Sequence, residues 1–484
     1  MNKILKRLNL KILIVTFLSV VLVFAVACSS QAPVKETTEA KQKTKIPTQP
    51  PGSNIALITD VHFNPFYDQT LFDQLKAADA SQWQAIFAGS KIKGIGSYGD
   101  FKEETDYNLL ISALENMAAV SGKPDFVIFS GDFLAHIFHD RYADCNNKSS
   151  EGLDAFIDKT VTFFAILFEK YFPGVPVYLS LGNNDCYNGD YMIAPEGDFL
   201  KNTAVIFSQH LLKNPANKAS FIATYPIGGY YAIVPPKSPN SRIISLNTIF
   251  FSPKHKSDFT EYNPAEKQLD WFESQLKSAK AKKEKIWLLL HIPPGAAVYA
   301  TLKKKSYISD WVPTYIDRFT RLLTEYSSII KASFAGHTHM DDFRLLLGQG
   351  KPEQARGFIC ISPGVSMLFG NNPAFKTFTY NPQTFSLMDH EIYYVNLHEM
   401  PEGWTGPVKW EKEYGFSQTY GQSSINPGTL QTVYFAIRDN PVIRAHYMNY
   451  YDVNHRKAVT ESNWKSYWCG IAQWTEQEFQ DCNK

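Results

Sequence analysis

Ile55-Ala56-Leu57-Ile58-Thr59-Asp60-Val61-His62 is an apolar run that ends in a carboxylate and an imidazole. The run predicts a strand. Asp60 and His62 stand two apart at its C-terminal end, where alternation points both side chains to one side. Such a pair can share a divalent metal ion. Alone it decides little, but the pattern recurs along the chain. Phe126-Val127-Ile128-Phe129 ends in Ser130-Gly131-Asp132, and Val175 to Leu179 ends in Ser180-Leu181-Gly182-Asn183-Asn184-Asp185. Ile286 to Leu290 ends in His291, and Ile330 to Phe334 gives way to Gly336-His337-Thr338-His339. Helical patterns at 105–119, 153–170 and 264–280 precede several of these runs. That is the order of an α/β sheet with ligand-bearing loops at its strand ends. Asp, Asn and Gly are ordinary turn residues, yet five endings in series, each with an O or N ligand, go beyond turn chemistry. They predict a dinuclear metal centre.

The rest of the composition fits a folded, exported protein. Of 484 residues 44% are apolar and 20% charged, which excludes wholesale disorder. The 48 basic residues balance 47 acidic ones, so no global field gathers a nucleic acid polymer. Lys3, Lys6, Arg7 and Lys11 precede an apolar stretch from Ile12 to Ala27, which reads as a signal peptide and is shorter than a membrane span. Ala25-Val26-Ala27-Cys28 resembles a bacterial lipobox, with Ala where Leu is usual. The expectation is a lipidated Cys28, a polar tether over 28–52 without core-forming residues, and an exported bacterial lipoprotein held at a membrane on the periplasmic or cell-surface side. Besides Cys28 the chain has Cys145, Cys186, Cys360, Cys469 and Cys482. Cys469 with Cys482 is the expected disulfide and Cys145 with Cys186 a second candidate; sequence leaves the connectivity open.

The order D-x-H, G-D, G-N, H, G-H-x-H resembles the calcineurin-like metallophosphoesterase superfamily. Within it, the acid-sphingomyelinase-like phosphodiesterase branch is indicated by Asp60-Val61-His62-Phe63-Asn64-Pro65-Phe66, His291-Ile292-Pro293-Pro294-Gly295, Gly336-His337-Thr338-His339 and Asn372-Pro373-Ala374-Phe375. The resemblance spans roughly residues 54–484. It implies a four-layer α/β/β/α metallophosphoesterase sandwich over 53–400, with a mostly helical C-terminal subdomain over 401–484. It implies one ion on Asp60, His62, Asp132 and His339, and a second on Asp132, Asn183, His291 and His337, with Asp132 bridging. Zinc is the family's usual ion; Mn or Fe suits the same ligands. It further implies in-line attack at phosphorus by a bridging hydroxide, with His136 binding phosphate and protonating the leaving group. The branch usually has His where Asn184 stands. Asn184 cannot titrate but can still donate a hydrogen bond to the transition state. Three readings stay open: proton transfer rests on His136 alone, the leaving group needs less help, or turnover is slow.

No cysteine stands between Cys28 and Asp60, so the chain resembles the branch's saposin-free members. Small nucleotide-like or choline-containing phosphodiesters and diphosphates are the expected substrates. Sphingomyelin, a monoester, and a non-catalytic ligand-binding role are the alternatives. The segments 63–104 and 133–152 show no clear secondary structure. Their aromatics, among them Phe63, Phe66, Trp83, Phe87, Tyr98, Phe101, Phe138 and Tyr142, suit either a pocket wall or plain packing. Runs at 343–347, 358–361, 375–380 and 391–397 read as strands completing the second sheet.

Overall fold

The computed structural model describes residues 53–91, 104–256, 263–348, 354–400 and 406–484. The signal peptide, Cys28, the tether, Tyr98 and Phe101 lie outside them. Twelve strands are described: β1 (Ser53–Ile58), β2 (Val127–Phe129), β3 (Val177–Leu179), β4 (Tyr231–Ile233), β5 (Ser241–Ser245), β6 (Lys285–Leu289), β7 (Ile330–Ala335), β8 (Asp342–Leu347), β9 (Ala355–Ile361), β10 (Ala374–Asn381), β11 (Ser386–Val395) and β12 (Trp410–Gly415). They form two six-stranded sheets, ordered β12-β11-β10-β1-β2-β3 and β4-β5-β6-β7-β9-β8.

In the first sheet β1, β2 and β3 run parallel, and β10 joins β1 antiparallel with Ser53 opposite Tyr380. In the second, β5, β6, β7 and β9 run parallel between antiparallel edges β4 and β8. The central strands are buried on both faces, as continuous apolar runs of parallel sheets require. The sheets pack face to face through Trp287, whose ring stacks on Phe385 at 4.1 Å and whose Nε1 donates to the Phe385 carbonyl at 2.7 Å. Tyr231 on the second sheet exchanges two 2.7 Å hydrogen bonds with Leu179 on the first.

Helices cover the outer faces. Tyr107–Ser121 lies on β1 and β10, and Leu153–Tyr171 sets Phe164 against Phe129 of β2. Pro264–Ala281 and Pro313–Glu325 meet through stacked Phe272 and Phe319 beside the second sheet. Four helices begin Asn-Pro, at 214, 263, 426 and 440. The Asn carbonyl oxygen takes the first orphan N–H groups, and Pro presets the helical φ while lacking an N–H that would go unused.

Three expectations are corrected. The strands at 375–380 and 391–397 join the first sheet, not the second; periodicity identifies a strand but not its partner. The segments 63–104 and 133–152 contain helices Phe72–Ala77, Trp83–Ala88 and Phe138–Cys145. Their described aromatics are packing: Trp83 is fully buried against Phe156 and Phe163, and Phe66 stacks on Phe156. These helices are too short for a periodic signal to emerge. Cys145 and Cys186 are free, whereas Cys469 and Cys482 form a disulfide between helices Trp464–Ala472 and Glu476–Asn483.

The segment after residue 405 supplies edge strand β12, then helices Pro427–Asp439 and Trp464–Ala472, which pack on β8 and β9. Its tyrosines reach under the Gly336–His339 loop. Tyr414 donates to Asp341 at 2.5 Å and Tyr447 to Asp342 at 3.3 Å, while Lys376 and Arg344 pair with the same two carboxylates. Those buried charges are thus paired and hydrogen-bonded, as burial demands. Among the described residues no helix is long and apolar enough to cross a membrane.

Candidate metal centre

The predicted ligands converge at the C-terminal ends of strands from both sheets. β1, β2 and β3 deliver Asp60, His62, Asp132 and Asn183; β6 and β7 deliver His291, His337 and His339. The chain places them with unusual backbone. Asp60, His62, Asp132, His337 and His339 all have φ between 45° and 71°. The left-handed region costs a non-glycine residue roughly 1–2 kcal/mol, and such outliers cluster at functional sites. Asp60 and His62 therefore converge through left-handed turns beyond the strand, which stops at Ile58, and not through the pleat alternation expected from sequence. Close approach also decides two glycines. A Cβ on Gly182 would lie 2.1 Å from Asp132, and one on Gly131, at φ 95°, would lie 2.7 Å from His291 Nδ1.

Asp132 Oδ2 stands between two imidazoles, 3.4 Å from His62 Nε2 and 3.3 Å from His291 Nε2. His62 Nε2 is 3.2 Å from His339 Nε2, which is 3.6 Å from Asp60 Oδ1. His291 Nε2 is 3.2 Å from Asn183 Oδ1. Among the described residues three groups of possible ligand atoms result: Asp60–His62–His339, Asp132–His291–His337 and, at the rim, His62–Glu104–His136. Three rings are oriented from behind: Nδ1 of His62, His291 and His339 meets the carbonyls of Leu134, Ser130 and Ser366 at 3.0, 2.6 and 3.1 Å. Nδ1–H donation there leaves the Nε2 lone pairs facing inward, which is how metal-ligating histidines are held. Burial keeps His62 and His337 well below the usual imidazole range and His339 down at about 3. Burial opposes charge on His291 too, but the Asp132 carboxylate outweighs it and raises His291 to about 9. Burial pushes Asp60 up to about 7. Inward imidazole nitrogens, three of them kept neutral by burial and the fourth charged beside Asp132 until a cation replaces its proton, cluster with two buried carboxylates and an amide oxygen. The set fits two divalent cations and contains no thiolate.

Asn184 lies against the central carboxylate, a contact that the motif did not indicate. Its backbone N–H donates to Asp132 Oδ1 at 2.8 Å and its amide Nδ2 to Asp132 Oδ2 at 3.0 Å. The side chain engages the central carboxylate with one of its two amide hydrogens. His136 stands at the rim, stacked 4.0 Å from the His62 ring and partly exposed. Burial opposes its charge, but Glu104, accepting from Nδ1 at 2.8 Å, raises it above the usual range.

Four contributors escape the motif reading. Glu104 is buried and also accepts the His136 backbone N–H at 2.9 Å. Asp185 accepts from the N–H groups of Asp132, Phe133, Leu134 and Gly182, tying the β3 loop to the β2 loop. Asp190 accepts from Asn183 Nδ2 at 2.7 Å, which turns the Asn183 oxygen inward. Phe369, 53% exposed, meets His339 at 4.6 Å and His136 at 5.5 Å edge to face. The acidic stretch before the helix at 107 and the Asp after Asn184 were visible signals; Asp190 and Phe369 had none.

Two sandwiched sheets with Asp, Asn and His at their shared C-terminal edge define a metallophosphoesterase, a phosphoric diester hydrolase by class. The profile of the calcineurin-like phosphoesterase family matches residues 53–341, and that of the acid sphingomyelin phosphodiesterase C-terminal region matches 359–484. The chain belongs to the calcineurin-like phosphoesterase family. It is 26% identical to sphingomyelinase phosphodiesterase C of Dictyostelium discoideum, over 88% of this chain and 91% of that one. It is 26% identical to cyclic GMP-AMP phosphodiesterase SMPDL3A of Mus musculus over the same shares. With human acid sphingomyelinase-like phosphodiesterase 3b it shares 25% identity over 84% of each chain. A dimetal phosphatase from Danio rerio superposes with a TM-score of 0.41 at 14% identity, covering 75% of this chain and 99% of that one.

Proposed function

We propose that this protein hydrolyses phosphodiester or diphosphate bonds in small nucleotide-like or choline-containing molecules. The observation that carries the reading is the position of Asp132 Oδ2 between His62 and His291, where one carboxylate serves two ligand groups. Asp60, His62, Asp132 and His339 would hold one divalent cation, and Asp132, Asn183, His291 and His337 the other, with zinc our assignment. When bound, such a pair supplies charge neutralisation at the phosphoryl group and a nucleophile near neutral pH. The chain's own residues do the rest. Asn183 is aimed by Asp190, Asp132 is steadied by Asn184, and His136, whose pKa Glu104 raises against the effect of burial, would serve as proton donor to the leaving group. Phe369 offers an exposed ring beside His136 for the organic substituent of the ester. The names of the relatives, which specify sphingomyelin-type and cyclic dinucleotide phosphodiesterases, support a diester over a monoester.

The test is phosphorus NMR of products from metal-loaded protein with sphingomyelin, CDP-choline, ATP, a bis-ester and a monoester, each with and without chelator. Chelator-sensitive cleavage of diesters or diphosphates with the monoester untouched is expected. Release of phosphate from the monoester assigns a phosphatase instead, and silence across the panel with ions bound assigns a binding protein. We also infer that residues 1–27 direct export and that Cys28 carries the lipid anchor. Cys28→Ala should then move the protein from the membrane fraction to the soluble fraction; unchanged partitioning refutes the anchor.

A further inference from the structure

A lysine borders the His337 side of the site. The loop carrying Asp190 turns at Tyr191, a left-handed residue at φ 61° whose N–H bonds the Asn183 carbonyl at 2.8 Å. The Tyr191 ring is buried and its hydroxyl comes within 3.5 Å of His337 Nε2. Lys254 arrives from the turn after Thr248–Phe251, with its N–H on Ser252 Oγ, and neighbouring His255 bonds the Ile193 carbonyl at 3.1 Å. The two loops are thus fastened together. The Lys254 ammonium donates to the Tyr191 hydroxyl at 3.2 Å and sits 4.8 Å from the centre of its ring. It lies no farther from His337 than those two contacts laid end to end.

Lys254 is exposed, and among the described residues it has no ion-pair partner. Asp190 and Asp310 lie in the field of the Lys254 charge without forming an ion pair with it: Asp190 takes the Asn183 amide, and Asp310 is buried and also feels Arg344. Because Lys254 donates to Tyr191, the tyrosine's own hydrogen points to His337 Nε2, 3.5 Å away, an acceptor that a cation on His337 would remove, leaving that hydrogen for a bound anion. An ammonium and a phenol O–H side by side at the rim are a cradle for an anionic oxygen. A phosphoryl group between the ligand groups would have this cradle beside it, on the His337 side. A choline group there would meet a like charge.

We propose that Lys254, presented by Tyr191, binds a second phosphoryl group adjacent to the scissile one. The substrate class is therefore phosphoanhydrides and dinucleotides rather than single-phosphate choline diesters. This assignment rests on the phosphodiesterase reading. The test compares wild type with Lys254→Ala and Lys254→Arg on a dinucleoside diphosphate and on bis(p-nitrophenyl) phosphate. Lys254→Ala should lower the ratio of kcat/KM values, diphosphate over bis-ester, roughly tenfold or more, as loss of a charged hydrogen bond does, and mainly through KM. Lys254→Arg should recover part of it. An unchanged ratio overturns the proposal, whether both rates fall together or neither falls. Calorimetric binding of inorganic pyrophosphate and phosphate to the same metal-loaded proteins needs no turnover. Pyrophosphate alone should weaken in Lys254→Ala, and equal affinity in wild type and variant overturns the subsite. If neither ester is hydrolysed, the phosphodiesterase reading fails while this binding comparison still decides Lys254.

Discussion

The imidazoles of His62 and His339 face each other Nε2 to Nε2 at 3.2 Å, while the Nδ1 of each meets a backbone carbonyl. Two lone pairs that close repel unless a positive charge lies near them. The arrangement costs stability on its own, and burial of Asp60 adds to that cost. Divalent cations should therefore stabilise the fold by mass action, about 2.7 kcal/mol at a hundredfold excess over Kd. Differential scanning calorimetry with zinc against chelator should show a rise in Tm of several degrees. Equal Tm values would remove the metal assignment.

Asp132 and Asn184 should separate by metal content. Asp132→Asn removes the charge between His62 and His291, and elemental analysis should find fewer than two ions bound, with activity down more than about a hundredfold. Asn184→Ala removes one hydrogen bond to that carboxylate, worth roughly 1.5–3 kcal/mol to a charged partner. Metal affinity should fall about tenfold or more, with turnover partly restored by excess metal. A variant that loses turnover with full metal content would show that Asn184 acts on the substrate instead.

Glu104→Gln tests the rim acid. Glu104 raises His136 against the opposing effect of burial. A group that donates a proton is lost as pH rises through its pKa, so the alkaline limb of kcat should shift to lower pH in the variant. The fold should persist, since the amide can still accept the His136 N–H. A profile that falls in height without shifting would deny Glu104 this influence on His136.

Asp106 offers a stability prediction away from the site. It caps the helix Tyr107–Ser121 by accepting from Leu109 N–H at 2.8 Å, and burial raises it to about 7 from an ordinary 3.8. Between those values the folded state holds a proton that the unfolded chain has released, so this group's contribution falls as pH rises through that window. Asn caps as well as Asp. Asp106→Asn should match wild type in denaturant unfolding below the ordinary value and exceed it by a few kcal/mol above pH 7. A variant no more stable at pH 8 would refute the shift.

The site's seven candidate ligands were legible because each is an Asp, Asn or His that closely follows an apolar run, a local pattern within a few residues. Helices at 107–121, 153–171 and 264–281 were legible by their apolar stripes. The helices over 72–88 and 138–145 were not, since one or two turns carry too little periodicity.

Sequence by itself determined which strands exist, which of their ends carry ligand atoms, and the family to which that order belongs, because those features depend on residues close along the chain. Tertiary structure decided the rest. It placed β10 beside β1, turned Asn184 onto Asp132, and brought Glu104 to His136 and Lys254 to Tyr191 across separations of 32 and 63 residues. Such contacts arise where loops from two sheets meet at one edge. Their geometry follows from left-handed turns and close glycine contacts, which neither propensity nor periodicity encodes.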